Sequence, residues 1–177
     1  MPFAAGQKLR VSDLTGGTGG SSGSPVGSGV VIMASDVTVN NTTTVTDATG
    51  LTFSVIANAT YQFEAWLRYN GGSTPDIKFQ WSSPSGTTGF WSLVGHARDT
   101  SPALDTGAGG TWVVEAIGTS KTVAGDATGT LLLAATAKGY ITTTTAGTFK
   151  LQVAQRTATA SNTVLRTGSY MSLTRIA

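Results

Sequence analysis

Strict alternation of apolar and polar residues constrains this chain more than any other feature. In Tyr61-Gln62-Phe63-Glu64-Ala65-Trp66-Leu67-Arg68-Tyr69, one set of side chains is Tyr61, Phe63, Ala65, Leu67 and Tyr69. The other set is Gln62, Glu64, Trp66 and Arg68. A period of two belongs to a β-strand, whose successive side chains leave opposite faces. Ile77, Phe79 and Trp81 alternate with Lys78 and Gln80 in the same way, and Leu51, Phe53 and Val55 alternate with hydroxyls. Nowhere after Gly29 does a helical period replace this one.

The pattern predicts further strands at 30–34, 37–45, 90–97, 111–118, 129–138, 139–144, 148–155, 162–167 and 169–176. Turn chemistry separates them at Asn70-Gly71-Gly72, Ser83-Pro84-Ser85-Gly86, Ala146-Gly147 and Thr167-Gly168. Many short strands punctuated in this way predict an all-β fold, a jelly-roll β-sandwich. The segment 99–110 reads as a long surface loop.

Three unequal parts follow from the composition. Met1 to Thr15 (MPFAAGQKLRVSDLT) is a short amphipathic peptide whose apolar residues are Phe3, Leu9, Val11 and Leu14. Alone it is too short to hold helix in water, so it needs a partner surface. These four side chains stand beside Lys8, Arg10 and Asp13, a mixture suited to an apolar groove with a polar rim, and they are the candidate anchoring residues. Residues 16–29 are rich in Gly and Ser, the composition of a flexible linker. Residues 30–177 form the β-sandwich domain, long enough to bury a core without disulfide or metal.

Charged residues make up only 11% of the chain, against about 25% in ordinary soluble domains. Such a surface suits burial against other chains. The net charge is +2 and no two basic residues are adjacent, so a nucleic-acid partner is not expected. No apolar run approaches the roughly 20 residues of a membrane-spanning helix, and membrane insertion is not expected. There is no cysteine and one histidine, His96, which removes the usual zinc ligand sets. No metal or cofactor is expected. Asp36, Asp47 and Asp126 read as turn aspartates rather than calcium ligands.

Two readings with chemistry in them are weighed against a structural role. Leu104-Asp105-Thr106-Gly107-Ala108 contains the Asp-Thr-Gly triplet of aspartic proteases, which need two carboxylates sharing one proton. With a single triplet, the chain would have to act as a dimer. The triplet follows the turn signal Ser101-Pro102 rather than an apolar strand, so a loop is the better reading, and no enzyme is expected. The second is a carbohydrate-binding module, for which Trp66, Trp91 and Trp112 are the candidate glycan contacts, since aromatic rings stack on sugars. Burial against the second sheet or a neighbouring protomer is the competing reading of the same residues.

Several stretches resemble small virion proteins of tailed phages that infect actinobacteria. They are the leader Phe3-Ala4-Ala5-Gly6-Gln7-Lys8-Leu9 to Leu14, the middle segments Gly50-Leu51-Thr52-Phe53, Ala59-Thr60-Tyr61-Gln62-Phe63-Glu64 and Asp76-Ile77-Lys78-Phe79, and the closing Gly168-Ser169-Tyr170-Met171-Ser172-Leu173-Thr174-Arg175-Ile176. In this chain Thr15-Gly16-Gly17 stands where such leaders continue as helix. The closing strand is also similar to trimeric jelly rolls of the tumour necrosis factor and complement globular-head type. The resemblance implies a non-enzymatic structural protein on the virion surface, made in the bacterial host cytoplasm. It would be a capsid decoration or head fibre, or a tail-associated fibre, with phage capsid or tail proteins and a host surface glycan as partners. It further implies a homotrimer with the last strand near the axis, where Tyr170, Met171 and Leu173 would form the interface.

Overall fold

The computed structural model describes residues 28–95 and 113–177, and these form two antiparallel sheets packed face to face. Twelve strands run in order: β1 (Gly29–Ile32), β2 (Val37–Val39), β3 (Thr46–Val55), β4 (Ala59–Asn70), β5 (Ile77–Ser82), β6 (Thr88–Val94), β7 (Glu115–Ala116), β8 (Lys121–Val123), β9 (Leu133–Thr143), β10 (Gly147–Gln155), β11 (Thr163–Leu165) and β12 (Tyr170–Arg175). The larger sheet has the order β1-β12-β4-β9-β6-β7, with β11 and β2 added beside β4. The smaller has the order β3-β10-β5-β8.

Eight strands carry the topology. β1, β12, β4 and β9 lie side by side in one sheet, and β3, β10, β5 and β8 in the other. First and last strands are therefore neighbours, as are second and second-to-last. That nesting is the doubly wound order of a jelly roll. The sandwich is thus all-β, as the alternation predicts.

The core forms because every long strand delivers its apolar set to the space between the sheets. Tyr61, Phe63, Ala65, Leu67 and Tyr69 of β4 are all buried, and so are Ile77, Phe79 and Trp81 of β5. At the centre, the rings of Trp81 and Phe149 stack at 4.9 Å, and Phe63 packs on both, at 4.7 and 5.1 Å. Trp91 meets Trp81 edge-on at 6.0 Å. Aromatic pairs of this kind add about 0.5–1.5 kcal/mol each beyond the area they bury.

Two glycines shape the sheets. Gly139 sits mid-strand in β9, opposite Phe63 on one side and Trp91 on the other. A Cβ there would lie 2.3 Å from the Phe90 carbonyl oxygen and 2.7 Å from the Phe63 ring, so only glycine lets the strand pass the aromatic cluster. The pairing of β3 with β10 shifts between Lys150 and Gln152, and β3 carries its surplus residues around Gly50, whose φ is +95°.

Several boundaries differ from the sequence expectation. The predicted strands 129–138 and 139–144 are one strand, β9, because Gly139 is a close-packing position and not a break. The strand expected over 37–45 ends at Val39, where Asn40 bonds Asn162 and Ala160 and Asn41 turns to φ +49°. Of the strand expected over 111–118, only Glu115–Ala116 pairs among the described residues. β8, a short strand that contributes buried Val123, was not expected. At the start of the described residues, β1 runs from Gly29, and the Arg175 amide donates to the Ser28 hydroxyl. The long loop read at 99–110 lies outside the described residues.

Candidate functional site: the outer face of the large sheet

The outward side chains of the large sheet line up in registered rows. One row crosses the sheet as Ile32, Tyr170, Trp66, Thr136 and Val94. The next is Val30, Ser172, Glu64, Lys138 and Ser92. A third is Thr174, Gln62, Tyr140, Phe90 and Ala116. An exposed sheet face is ordinarily polar, but this one carries two apolar patches.

The first patch is Val30, Ile32, Tyr170 and Trp66, all exposed; Ile32 keeps 64% of its surface in solvent. The Trp66 and Tyr170 rings lie 6.0 Å apart, and the Arg68 guanidinium sits 5.8 Å over the indole. The Arg68 head also donates to the Thr167 carbonyl at 3.0 Å, which fixes the cation over the ring.

The second patch is Phe90 and Tyr140, with rings 6.1 Å apart, beside exposed Val114 and Ile176. Together with Gln62, Ser92 and Lys138 these residues line a groove of about 520 Å³. Between the patches stands an ion pair, Glu64 to Lys138 at 3.2 Å, with both partners well exposed. Such a pair contributes about 0–1 kcal/mol and does not hold the sheet together.

The polar groups elsewhere organise turns. The Asp36 carboxylate accepts from the Thr167 amide and from the Arg166 guanidinium, both at 2.7 Å, and these bonds hold its pKa below the usual 3.8. Asp47 is lowered by its bonds from Lys150 at 2.6 Å and Gln152 at 2.8 Å, across the irregular part of β3. Burial pushes the Lys121 ammonium down, although Glu115 opposes the shift; its Nζ donates to the Val113 carbonyl and lies 5.7 Å over the Trp91 ring. Among the described residues, no group of three His, Cys, Asp or Glu side chains is placed to hold a metal ion.

The residues singled out in the sequence fare differently. Trp66 is exposed, but Trp91 is 1% exposed, with its ring packed edge-on against Trp81 in the core. Alternation leaves one of Phe90 and Trp91 outside, and β6 turns Phe90 outward. Met171 and Leu173, expected at a trimer interface, are buried within the chain's own core, because β12 sends them between the sheets. Tyr170, the third of that set, does stand on the outer face. Phe3, Leu9, Val11, Leu14, His96, Asp105 and Trp112 lie outside the described residues. Sequence reasoning missed Val30, Ile32, Tyr140 and Ile176. The doublet Phe90-Trp91 marked an exposed aromatic without telling which of the two faces outward. Tyr140 was hidden by reading Gly139 as a break.

Fold and face together define a jelly-roll sandwich with one partly apolar, registered sheet surface. No family model and no curated protein matches the chain. Among solved structures it is similar to a chain in "Structure of infectious bursal disease virus Gx strain", at 12% identity over 82% of this chain and 40% of that one. The TM-score is 0.14, too low for that likeness to carry an argument.

Proposed function

We propose that this chain is a non-enzymatic structural protein of a phage particle that assembles as a homotrimer through the outer face of its large sheet. The supporting observation is the pair of apolar patches on that face, in a chain with few charges. The patches are unlike each other, so a contact joining the first patch of one copy to the second of the next is heterologous. A heterologous contact gives a ring of three where its rotation closes after three copies, and an open filament where it does not close. The resemblance of the leader and the closing strand to virion proteins of tailed phages supplies the setting: a capsid decoration or head fibre, or a tail-associated fibre. Attachment falls to Met1–Thr15. The chain enters the sandwich at Ser28, beside Arg175 and the C-terminal Ala177, whose carbonyl accepts from the Thr60 amide. The tether therefore leaves from one pole, and the other pole points away from the particle.

The test is the mass in solution. Light scattering on the full chain is expected to give three times 18.0 kDa. Trp66→Glu combined with Tyr140→Glu should give a folded monomer, since both side chains lie outside the core. A monomeric wild-type chain would end this reading.

A further inference from the structure

The second patch lies beside the point where residues 1–27 join the sandwich. The Ser28 hydroxyl accepts from the Arg175 amide, and the next residue, Ile176, is one wall of the groove of about 520 Å³. Phe90, Val114 and Tyr140 supply its other apolar walls, all of them exposed, and Gln62 and Lys138 supply polar ones. Gly29 pairs with Leu173, so Ser28 stands level with Thr174, at the head of the row Thr174, Gln62, Tyr140 and Phe90. β9 and β6, which carry Tyr140 and Phe90, are the third and fourth strands from β1. At about 4.8 Å per strand, these two rings stand roughly 14 and 19 Å from Ser28.

Residues 16–27 have the Gly- and Ser-rich composition of a flexible coil, and a coil of that length has a root-mean-square span of about 17–21 Å. A tether whose span matches the distance to be bridged gives the segment it holds the highest effective concentration, on the order of millimolar. The segment on this tether is Met1–Thr15. Its Leu9, Val11 and Leu14 suit the apolar walls, and its charges suit the rim. Glu64 and Lys138 stand there as an exposed pair, 3.2 Å apart, opposite in sign to Lys8 and Arg10 on the one hand and Asp13 on the other. The first patch is also within reach, but Arg68 lies over its indole and repels Lys8 and Arg10.

We infer that the groove walled by Phe90, Val114, Tyr140 and Ile176 is the docking site of the chain's own leader, Met1–Thr15. A leader seated there covers the second patch of its own copy. Where copies assemble through that patch, as in the function proposed above, leader and neighbouring copy compete for it. A leader drawn off onto a particle then uncovers the patch for the next copy, so that assembly follows attachment. The docking itself does not rest on that reading.

The chain has no cysteine, so Ser12→Cys places a single nitroxide spin label in the leader of the ¹⁵N-labelled full chain. The sample is diluted until light scattering gives the mass of one copy, 18.0 kDa. Docking is expected to erase the amide signals of 90–92, 114, 138–140 and 176. The tether alone brings the label near Ser28, so the comparison is with Leu9→Asp and Leu14→Asp in the same labelled chain. These substitutions keep the tether and lie outside the sandwich, and with them the signals of 90–92 and 114 are expected to return. Phe90→Lys, which alters the groove instead of the leader, should restore the same signals. Broadening that is equal with and without the two aspartates, or that centres on Ile32 and Trp66, would overturn the assignment. The mass of the undiluted sample reports separately on assembly: a chain that never exceeds one copy ends the trimer and leaves the docking standing.

Discussion

Gly139 shows how much a single residue decides here. Replacing it with Ala puts a methyl against the Phe90 carbonyl, which belongs to the paired backbone of β6, and against the Phe63 ring, which is packed on Trp81 and Phe149. Gly139→Ala should cost about 1–3 kcal/mol, the usual range for overpacking, visible as a lower urea midpoint. An unchanged midpoint would mean that β9 bends away from the cluster. The carboxylates predict a pH response. Asp36, Asp47 and Asp126 are all lowered from 3.8, the last chiefly by the Thr128 hydroxyl. The folded state then binds fewer protons than the unfolded one, so their stabilisation is complete above 3.8 and is lost as pH falls through the lowered values. The melting temperature should hold near neutrality and drop in acid below 3.8, and Asp47→Asn should flatten that drop. An equally steep drop in the variant would assign the acid limb to other groups.

Among the elements, β12 has a place that its position in the sequence does not announce. It lies between β1 and β4, paired with both, and it sends Met171 and Leu173 into the core. A chain ending at Gly168 would leave β1 without its neighbour and open the core along β4. It should therefore fail to fold at all, seen as loss of the β-sheet circular dichroism signal, rather than fold as a monomer. A folded monomer from that truncation would place β12 outside the folding unit. The alternation in this strand was legible, but which set faced inward was not. Tyr170 and Met171 are both credible interface residues until β4 fixes the register at Met171↔Ala65 and Tyr170↔Trp66.

For the whole molecule, the two poles and the one apolar face divide the work in our proposal. A chain starting at Ser28 should fold and keep the trimer mass, yet fail to decorate particles that lack the native protein. Leu9→Asp with Leu14→Asp in the full chain should do the same. Burying each of these side chains stabilises by about 1.5–3 kcal/mol, while ordering a flexible peptide costs about 1–2 kcal/mol per residue. One leader then binds weakly, and three on one trimer bind firmly through effective concentration. Tight decoration by the shortened chain, measured by cosedimentation with particles, would move the anchor onto the jelly roll.

What the sequence determined by itself was the class of element and the inward set of the long central strands. Tyr61, Phe63, Ala65, Leu67 and Tyr69 alternate with polar neighbours, and a period of two allows one arrangement of such a pattern. It could not determine the faces of β1, where Val30, Val31 and Ile32 are all apolar, nor choose between Phe90 and Trp91. The tertiary structure decided those, because a strand apolar on both sides takes its phase from the partner it pairs with. The meeting of the loops at 72–75, 127–129 and 159–162 was beyond sequence reasoning for a related reason. Ser73, Thr128 and Ser161 are far apart along the chain and read as ordinary loop residues, and only the jelly-roll winding brings their loops to one pole.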